Sequence, residues 1–239
     1  MPCVWAKHVQ KKILVEVKIV QDTIKENLLR IQEEIAPYRP NIIAVTKYFD
    51  ENAIISAYNA GLRDFAESRV IEASQKIDNL PQEIKENSKF HFIGHLQTNK
   101  VKKVIEVFDY IHSVDSVKLA EKISEEASKI GKVQKILIQI NNANEEQKFG
   151  FSPEEVFEDF EKIINLKNLE IVGVMNMAPF GAEEEELESL FSEIAQIKAK
   201  LETKFNCELK EMSMGMSQDY KIAAQQGSTM LRIGRKLFK

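Results

Sequence analysis

The feature that most constrains the fold is a regular alternation of short apolar runs with helix-like stretches, which begins after residue 40. We predict strands at 42–46, 64–66, 90–93, 110–113, 135–140, 170–175, 209–212 and 230–233. A helix-like stretch follows each of the first seven runs. Strands that alternate with helices form parallel sheets. Nearly continuous apolar runs such as Ile136-Leu137-Ile138 are typical of parallel strands covered on both faces.

The number of strands favours a closed barrel of the (β/α)8 type, which is an α/β fold. The chain has 239 residues, within the range in which such a barrel forms one domain. An open, doubly wound sheet is the competing topology, because counting strands does not separate a closed sheet from an open one. Since no linker or low-complexity tract divides the chain, we predict a single domain over residues 1–239.

A long amphipathic helix precedes the first strand and is expected to pack on the barrel within residues 1–38. Its apolar positions recur at spacings of three and four, and Pro37 and Pro40 end it. These positions are Val9, Ile13, Val17, Val20, Ile24, Leu28, Ile31 and Ile35. Later helices carry their own signals: Asp50 or Glu51 opens one, Ser116 begins another that Gly131 stops, and the segment 152–155 reads as a capping box.

Composition excludes several classes of function. The formal net charge of −4 offers no electrostatic reason to bind nucleic acid. No run of 18 apolar residues exists, and the first ten residues lack the apolar core of a signal peptide. Cys3 and Cys207 are far apart and have no metal-type spacing, which suggests two reduced thiols. We therefore expect a cytoplasmic protein without a metal site or a membrane partner.

Lys47 is the first candidate for chemistry. In a barrel, functional residues gather at the carboxyl ends of the strands, where the loops converge. Lys47 directly follows the first apolar run. Partial desolvation there would leave a nucleophilic amine that can attack an aldehyde. Taken alone, a lysine at such a position is more often an ordinary solvent-facing residue.

Two segments that contain glycine and other small residues, near the last two strands, form a candidate phosphate site. The first covers 212–219, with Gly215 and Ser217, and the second covers 227–235, with Gly234. Loops after strands seven and eight are the usual phosphate cradle of this fold, because glycines let the backbone N–H groups approach. The alternative is that the two glycines make tight turns.

Two histidines lie near the third strand. His95 follows the strand and is expected to line a cofactor or serve the structure rather than catalyse. His91, within the strand, is expected to be a hydrogen-bonded core residue.

From about residue 41 to the C-terminus, the chain resembles the family of pyridoxal phosphate homeostasis proteins. The matching motifs are Ala44-Val45-Thr46-Lys47, Phe65-Ala66-Glu67-Ser68-Arg69-Val70, His91-Phe92-Ile93-Gly94-His95-Leu96-Gln97-Thr98-Asn99-Lys100, Lys148-Phe149-Gly150-Phe151, Gly173-Val174-Met175-Asn176-Met177-Ala178-Pro179, Ser213-Met214-Gly215-Met216-Ser217-Gln218-Asp219 and Gly227-Ser228-Thr229-Met230-Leu231-Arg232-Ile233-Gly234. The resemblance implies a barrel like the N-terminal domain of alanine racemase. It also implies pyridoxal 5′-phosphate held as an aldimine on Lys47.

The resemblance also assigns contacts to the cofactor. It gives the phosphate to the 213–217 loop and to the backbone around Gly234 and Arg235, with Thr229 nearby, and it puts Arg232 beside the pyridine nitrogen. The remaining cofactor-lining residues that it implies are Ser68, His95, Met175, Ser213, Met214 and Ser217. The family usually reads Phe-Gly-Glu-Asn-Arg where this chain has Ala66 and Ser68, so the contact at Ser68 comes from a shorter hydroxyl.

These assignments favour a cofactor carrier over an enzyme. A cationic arginine donates to the ring nitrogen and leaves it unprotonated, which weakens the ring as an electron sink. The chain ends at Lys239, so we expect no second domain to supply a racemase's tyrosine base. The leading hypothesis is a monomer that buffers pyridoxal phosphate and hands it to apo-enzymes. A racemase-like enzyme and a regulatory interaction module are the alternatives.

Overall fold

The protein is a closed barrel of eight parallel strands in a computed structural model that describes residues 21–143 and 149–239. The strands are β1 (Asn41–Val45), β2 (Asp64–Glu67), β3 (Lys89–Phe92), β4 (Tyr110–Val114), β5 (Gln134–Gln139), β6 (Leu169–Met175), β7 (Glu211–Ser213) and β8 (Met230–Ile233). Each strand pairs with the next, and β8 pairs with β1 through Ala44 and Ile233. This last pairing confirms the closed barrel and excludes the open sheet.

The predicted strand boundaries agree with the observed ones to within two residues, and those of β8 agree at both ends. The largest difference is at β7, which we predicted at 209–212 and which spans Glu211–Ser213. Leu209 is buried in the core, but its backbone N–H donates to the carboxylate of Glu202 rather than to a neighbouring strand. Leu209 is apolar and buried like a strand residue, but it belongs to the loop before β7.

Helices cover the outside of the barrel. They are α1 (21–34), α2 (Glu51–Asn59), α3 (Val70–Asp78), α4 (Gln82–Glu86), α5 (Val101–Val107), α6 (Val117–Lys129), α7 (Val156–Ile164), α8 (Glu184–Phe205), α9 (Tyr220–Gln225) and α10 (Arg235–Phe238), with a short 3-10 turn at Thr98–Lys100. Within the described residues, no helix is long and apolar enough to cross a membrane.

The predicted helix starts have the expected capping bonds. The Asp50 side chain accepts from the N–H of Asn52, and the Ser116 side chain accepts from the N–H of Leu119. Ser152 and Glu155 exchange reciprocal bonds between side chain and backbone, as in a capping box. The chain makes a turn there, and α7 begins at Val156.

Helix α1 packs its apolar stripe onto the barrel. Ile24, Leu28, Ile31 and Ile35 are buried in the layer between strands and helices. The side chain of Asn27 also donates to the carbonyl oxygens of Leu237 and Lys239. Helix α1 is thus tied to the end of the chain that follows β8. The other predicted stripe positions, Val9, Ile13, Val17 and Val20, lie outside the described residues, as does Cys3.

Side chains along each strand point alternately to the two faces of the sheet, so the molecule has two buried layers. One set of strand residues packs outward against the helices and is apolar, for example Ala44, Phe65 and Ile111. The other set faces the inside of the barrel and includes two small apolar clusters, Ile43, Ala66 and Met230, and Leu137, Val172 and Met175. Buried polar side chains also face this interior, among them His91, His112, Ser213 and Arg232. The barrel interior is therefore partly polar, which raises the question of what these groups do.

Candidate functional site

Lys47 lies two residues beyond the end of β1, at the carboxyl end of the barrel. Its ammonium group is 5.1 Å from the ring centroid of Tyr48, whose side chain is exposed. Because β1 pairs with β8, the loop after β8 is its neighbour: a Cβ atom added to Gly234 would lie 3.4 Å from the carbonyl oxygen of Val45. The end of the strand that leads to Lys47 therefore lies next to one of the two predicted phosphate-binding loops.

A buried ion pair supports the backbone immediately before Lys47. The ammonium group of Lys76 donates to the carbonyl oxygen of Thr46 at 2.9 Å and to the carboxylate of Glu67 at 2.5 Å. The Thr46 hydroxyl donates to the same carboxylate oxygen at 2.8 Å. The Thr46 and Glu67 side chains are buried, so this cluster fixes the chain where it leaves β1.

The loops after β7 and β8 touch each other. The backbone N–H of Lys236, in α10, donates to the Ser217 hydroxyl at 3.4 Å. Gly215 has φ of +91°, a left-handed conformation that favours glycine, and its carbonyl oxygen accepts from the N–H of Arg232. The carboxylate of Asp219 accepts from the N–H of Met216, which closes the loop on itself. One place at the carboxyl end of the barrel is thus surrounded by Ser217, Gly234 and the start of α10.

Arg232 projects from β8 into the barrel and is 3% exposed. Its Nη1 atom donates to the carbonyl oxygen and to the hydroxyl of Ser213, both at 2.7 Å, and Nη2 donates to the carbonyl oxygen of Asn176 at 2.8 Å. Burial lowers the pKa of the guanidinium to about 10, and nearby Asp219 partly opposes this shift. Arg232 is therefore a cation at neutral pH. These bonds use three of the five N–H groups that an arginine carries.

Ser213 and Met214, both expected near the phosphate, are fully buried. The Ser213 hydroxyl lies between His112 Nδ1, at 2.9 Å, and Arg232 Nη1. Both of these partners are inside the barrel, so the Ser213 hydroxyl makes its hydrogen bonds there. The Met214 side chain packs in the layer between barrel and helices. Of the three expected residues in this segment, Ser217 is the one whose hydroxyl contacts the loop after β8.

The remaining expected residues at the carboxyl end follow β2, β3 and β6. Ser68 directly follows β2 and packs closely on Gly94, where an added Cβ would lie 2.3 Å from the Ser68 carbonyl oxygen. His95 stacks on Phe149 with ring centroids 3.6 Å apart, and its Nδ1 atom is 3.2 Å from the carboxylate of Asp115. Met175, the last residue of β6, is buried in the barrel interior.

Thr229 is not near this place. It precedes β8, at the amino end of the barrel, roughly 16 Å of strand away from Gly234. Its hydroxyl accepts from the N–H of Met212 and donates to the carboxylate of Glu211. The expectation that Thr229 lies near the phosphate is corrected on this ground. Arg235, at the start of α10, is exposed.

Sequence reasoning missed several residues of the site. Glu67 and Lys76 meet only because β2 and α3 fold together, and no local pattern indicates their pairing with Thr46. Asp115 beside His95 depends on the pairing of β3 and β4 in the same way. His112 could have been identified from the sequence. It is a polar residue next to the apolar Ile111 in β4, and it faces the barrel interior, where a polar side chain needs a hydrogen-bond partner.

Comparisons with known proteins show the family and the fold of the chain. The sequence model of a family described as the N-terminal domain of alanine racemase matches residues 19–239. A relative from Synechocystis, named pyridoxal phosphate homeostasis protein, is 40% identical over 86% of this chain and 94% of its own length. The PipY structure from Synechococcus elongatus, solved with pyridoxal phosphate bound, has a TM-score of 0.81 at 34% identity and covers 90% of this chain and 100% of that one. Alanine racemase from Clostridium difficile shares the fold, with a TM-score of 0.76 at 15% identity over 90% of this chain and 56% of that one.

Proposed function

The chain belongs to the family of pyridoxal phosphate homeostasis proteins, and from this membership we propose that it binds pyridoxal 5′-phosphate at the carboxyl end of its barrel and buffers the supply of this cofactor. In the proposed complex the Lys47 amine is joined to the aldehyde carbon of the cofactor as a Schiff base. Loss of a water molecule accompanies this condensation, and no oxidant or reductant is needed.

The observation that carries the proposal is the arrangement of three groups on neighbouring strands. Lys47 follows β1, Arg232 projects from β8, and the loop with Ser217 follows β7. An aldehyde, a ring nitrogen and a phosphate require an amine, a hydrogen-bond donor and a cradle of backbone N–H groups, respectively. The donor set of the described residues fits all three parts of this cofactor.

Arg232 also supports a carrier rather than a catalyst. It has no acceptor atom, so it can only donate to the ring nitrogen, and this nitrogen then stays unprotonated. Pyridoxal phosphate supplies enzymes with an electron sink, and protonation of the ring nitrogen strengthens this sink. A buried cation at this position disfavours that protonation, and we therefore propose that the chain holds the cofactor without strong turnover.

Absorbance spectroscopy followed by chemical trapping tests the binding. Purified protein mixed with pyridoxal phosphate should show a visible Schiff-base band, and borohydride reduction followed by peptide mass mapping should find the pyridoxyl group on Lys47. Lys47→Ala should keep its fold by circular dichroism and lose the band. Lys210→Ala is the matched control, because Lys210 is exposed in the loop before β7. An adduct on another lysine, or a band that survives in Lys47→Ala, would overturn the assignment.

Transfer and turnover assays separate a carrier from an enzyme. We propose that apo-enzymes that require the cofactor receive it from this chain, so loaded protein should reactivate such an apo-enzyme. Incubation with single enantiomers of amino acids should produce no racemisation beyond that of free cofactor. Racemisation that disappears in Lys47→Ala would support an enzyme instead.

A further inference from the structure

A row of hydrogen-bonded polar side chains runs through the inside of the barrel behind Arg232. Ser213 Oγ is 2.9 Å from His112 Nδ1, His112 Nε2 is 2.9 Å from His91 Nδ1, and His91 Nε2 is 2.9 Å from the Asp64 carboxylate. The two histidines and Ser213 are fully buried, whereas the Asp64 side chain is 18% exposed at the first residue of β2. The row therefore links the amino end of the barrel to the guanidinium near its carboxyl end.

The two ends of the row set the direction of its hydrogen bonds, because Arg232 can only donate and the Asp64 carboxylate can only accept. An arginine has no acceptor, so its Nη1 must donate to Ser213 Oγ. The Ser213 hydrogen then points to His112 Nδ1, which leaves the His112 hydrogen on Nε2, from where it donates to His91 Nδ1. The His91 hydrogen on Nε2 donates to Asp64. The opposite direction would aim two donors at Ser213 Oγ and leave its own hydrogen without an acceptor in the row.

The electrostatics agree with this direction. Burial lowers the pKa of His112 well below its usual value, and the charge of the Arg232 guanidinium lowers it further. His112 is therefore neutral and can accept on one nitrogen while it donates from the other. Burial raises the pKa of the Asp64 carboxyl, but the hydrogen bonds from His91 and Asn41 and the charge of Lys89 act in the opposite direction, and the net shift is downward. The row thus runs from a buried cation to a carboxylate.

We infer that His112 and Ser213 are positioning residues that hold the Arg232 guanidinium in the orientation that presents its unused N–H groups to the ring nitrogen of the cofactor. This inference rests on the proposed function. Ser213 takes one N–H of Nη1, and His112 keeps the Ser213 oxygen lone pairs free by accepting the hydroxyl hydrogen. Because a guanidinium does not release its proton at neutral pH, the row acts as a fixed support and not as a proton path.

The test compares pyridoxal phosphate with an analogue whose ring nitrogen is replaced by C–H. In the unmodified protein, pyridoxal phosphate should bind about tenfold more tightly than the analogue, since only the nitrogen can accept from Arg232. In Ser213→Ala and His112→Leu, this ratio should fall to near one. In His112→Asn, whose amide oxygen can accept from Ser213, most of the ratio should return. Ser74→Ala, which removes another buried serine hydroxyl in α3, is the control and should leave the ratio unchanged.

Two outcomes overturn the inference. If Ser213→Ala keeps the full affinity ratio, the row does not position Arg232. This variant removes a single oxygen atom, so the test remains valid even if His112→Leu does not fold. The second readout needs no cofactor: hydrogen exchange of the Arg232 side chain, followed by nitrogen-15 NMR, should be about tenfold faster in Ser213→Ala than in the unmodified protein. Equal exchange rates would remove the inference. Failure of the unmodified protein to bind pyridoxal phosphate would overturn the proposed function. The exchange rates would still test whether the row holds Arg232 in place.

Discussion

The ammonium group of Lys236 lies 3.2 Å from the carboxylate of Glu34, and this contact joins the short helix after β8 to helix α1. The same carboxylate accepts a hydrogen bond from the Tyr220 hydroxyl and pairs with Lys221. Helix α10 carries the backbone N–H that contacts Ser217. The N-terminal helix therefore supports, from outside the barrel, the segment to which we assign the phosphate of the cofactor.

The Glu34 cluster predicts a specific pH dependence of stability. The Tyr220 hydrogen bond lowers the pKa of Glu34 most; burial opposes the shift, Lys236 and Lys221 add to it, and the pKa falls from 4.5 to about 2. A carboxyl whose folded pKa is below its unfolded pKa contributes stability above the unfolded value and loses it as the pH falls through the folded value. Glu34→Gln should therefore be less stable than the unmodified protein at neutral pH, and the difference should shrink between pH 4.5 and about pH 2.

Urea unfolding at a series of pH values measures this difference. Glu33→Gln is the matched control, because Glu33 is the exposed neighbour on the same helix. The Glu34→Gln difference is compared with the Glu33→Gln difference at each pH. A Glu34→Gln difference that stays constant down to the acid end would show that the cluster does not stabilise the fold through ionised Glu34.

Lys76→Met should destabilise the protein by about 3 kcal/mol, because removal of one partner leaves a buried carboxylate uncompensated. The Lys76 and Glu67 side chains are 10% and 3% exposed. Lys162→Met is the control, since Lys162 is 63% exposed and its partner Asp159 lies on the surface of α7. The free energy of unfolding from denaturant titration measures both. A loss no larger than that of the control would contradict the support that we assign to this pair.

Gly215→Ala should cost more stability than Gly181→Ala, although both glycines have positive φ, +91° and +77°. Both substitutions place a Cβ in the left-handed region, at a cost of about 1 kcal/mol. At Gly215 the new Cβ would also lie 2.5 Å from the Ala223 Cβ, whereas at Gly181 nothing lies within 4 Å. We expect an additional loss of about 2 kcal/mol for Gly215→Ala, measured by denaturant unfolding. Equal losses would mean that the loop after β7 relaxes freely.

Ser217→Ala should weaken the binding of pyridoxal phosphate by about tenfold without abolishing it, because one hydroxyl is lost and the backbone N–H groups remain. Equilibrium titration of the visible band measures the affinity, and borohydride trapping should still find the adduct on Lys47. Ser128→Ala, on the exposed face of α6, is the control. An unchanged affinity in Ser217→Ala would show that the phosphate does not bind at this loop.

Local patterns in the sequence determined the elements of the fold and the main places of the site. Alternation of strand and helix predicted eight strands, and capping residues such as Asp50 and Ser116 predicted helix starts that the structure confirms. The prediction that Lys47 and Gly234 lie at the carboxyl end needed only the rule that parallel strands share their direction. Each of these inferences depends on residues close together in the chain.

Tertiary structure alone decided which side chains meet. The pairing of β8 with β1 closed the barrel, and this pairing depends on twist and stagger rather than on composition. Thr229 and Arg232 are three residues apart, yet the first lies at the amino end and the second contributes its side chain to the interior. His112 meets Ser213 across 101 residues of sequence. The register of strands that are distant in the chain sets which side chains share the barrel interior. A cation that can only donate and a carboxylate that can only accept set the direction of the hydrogen bonds among them.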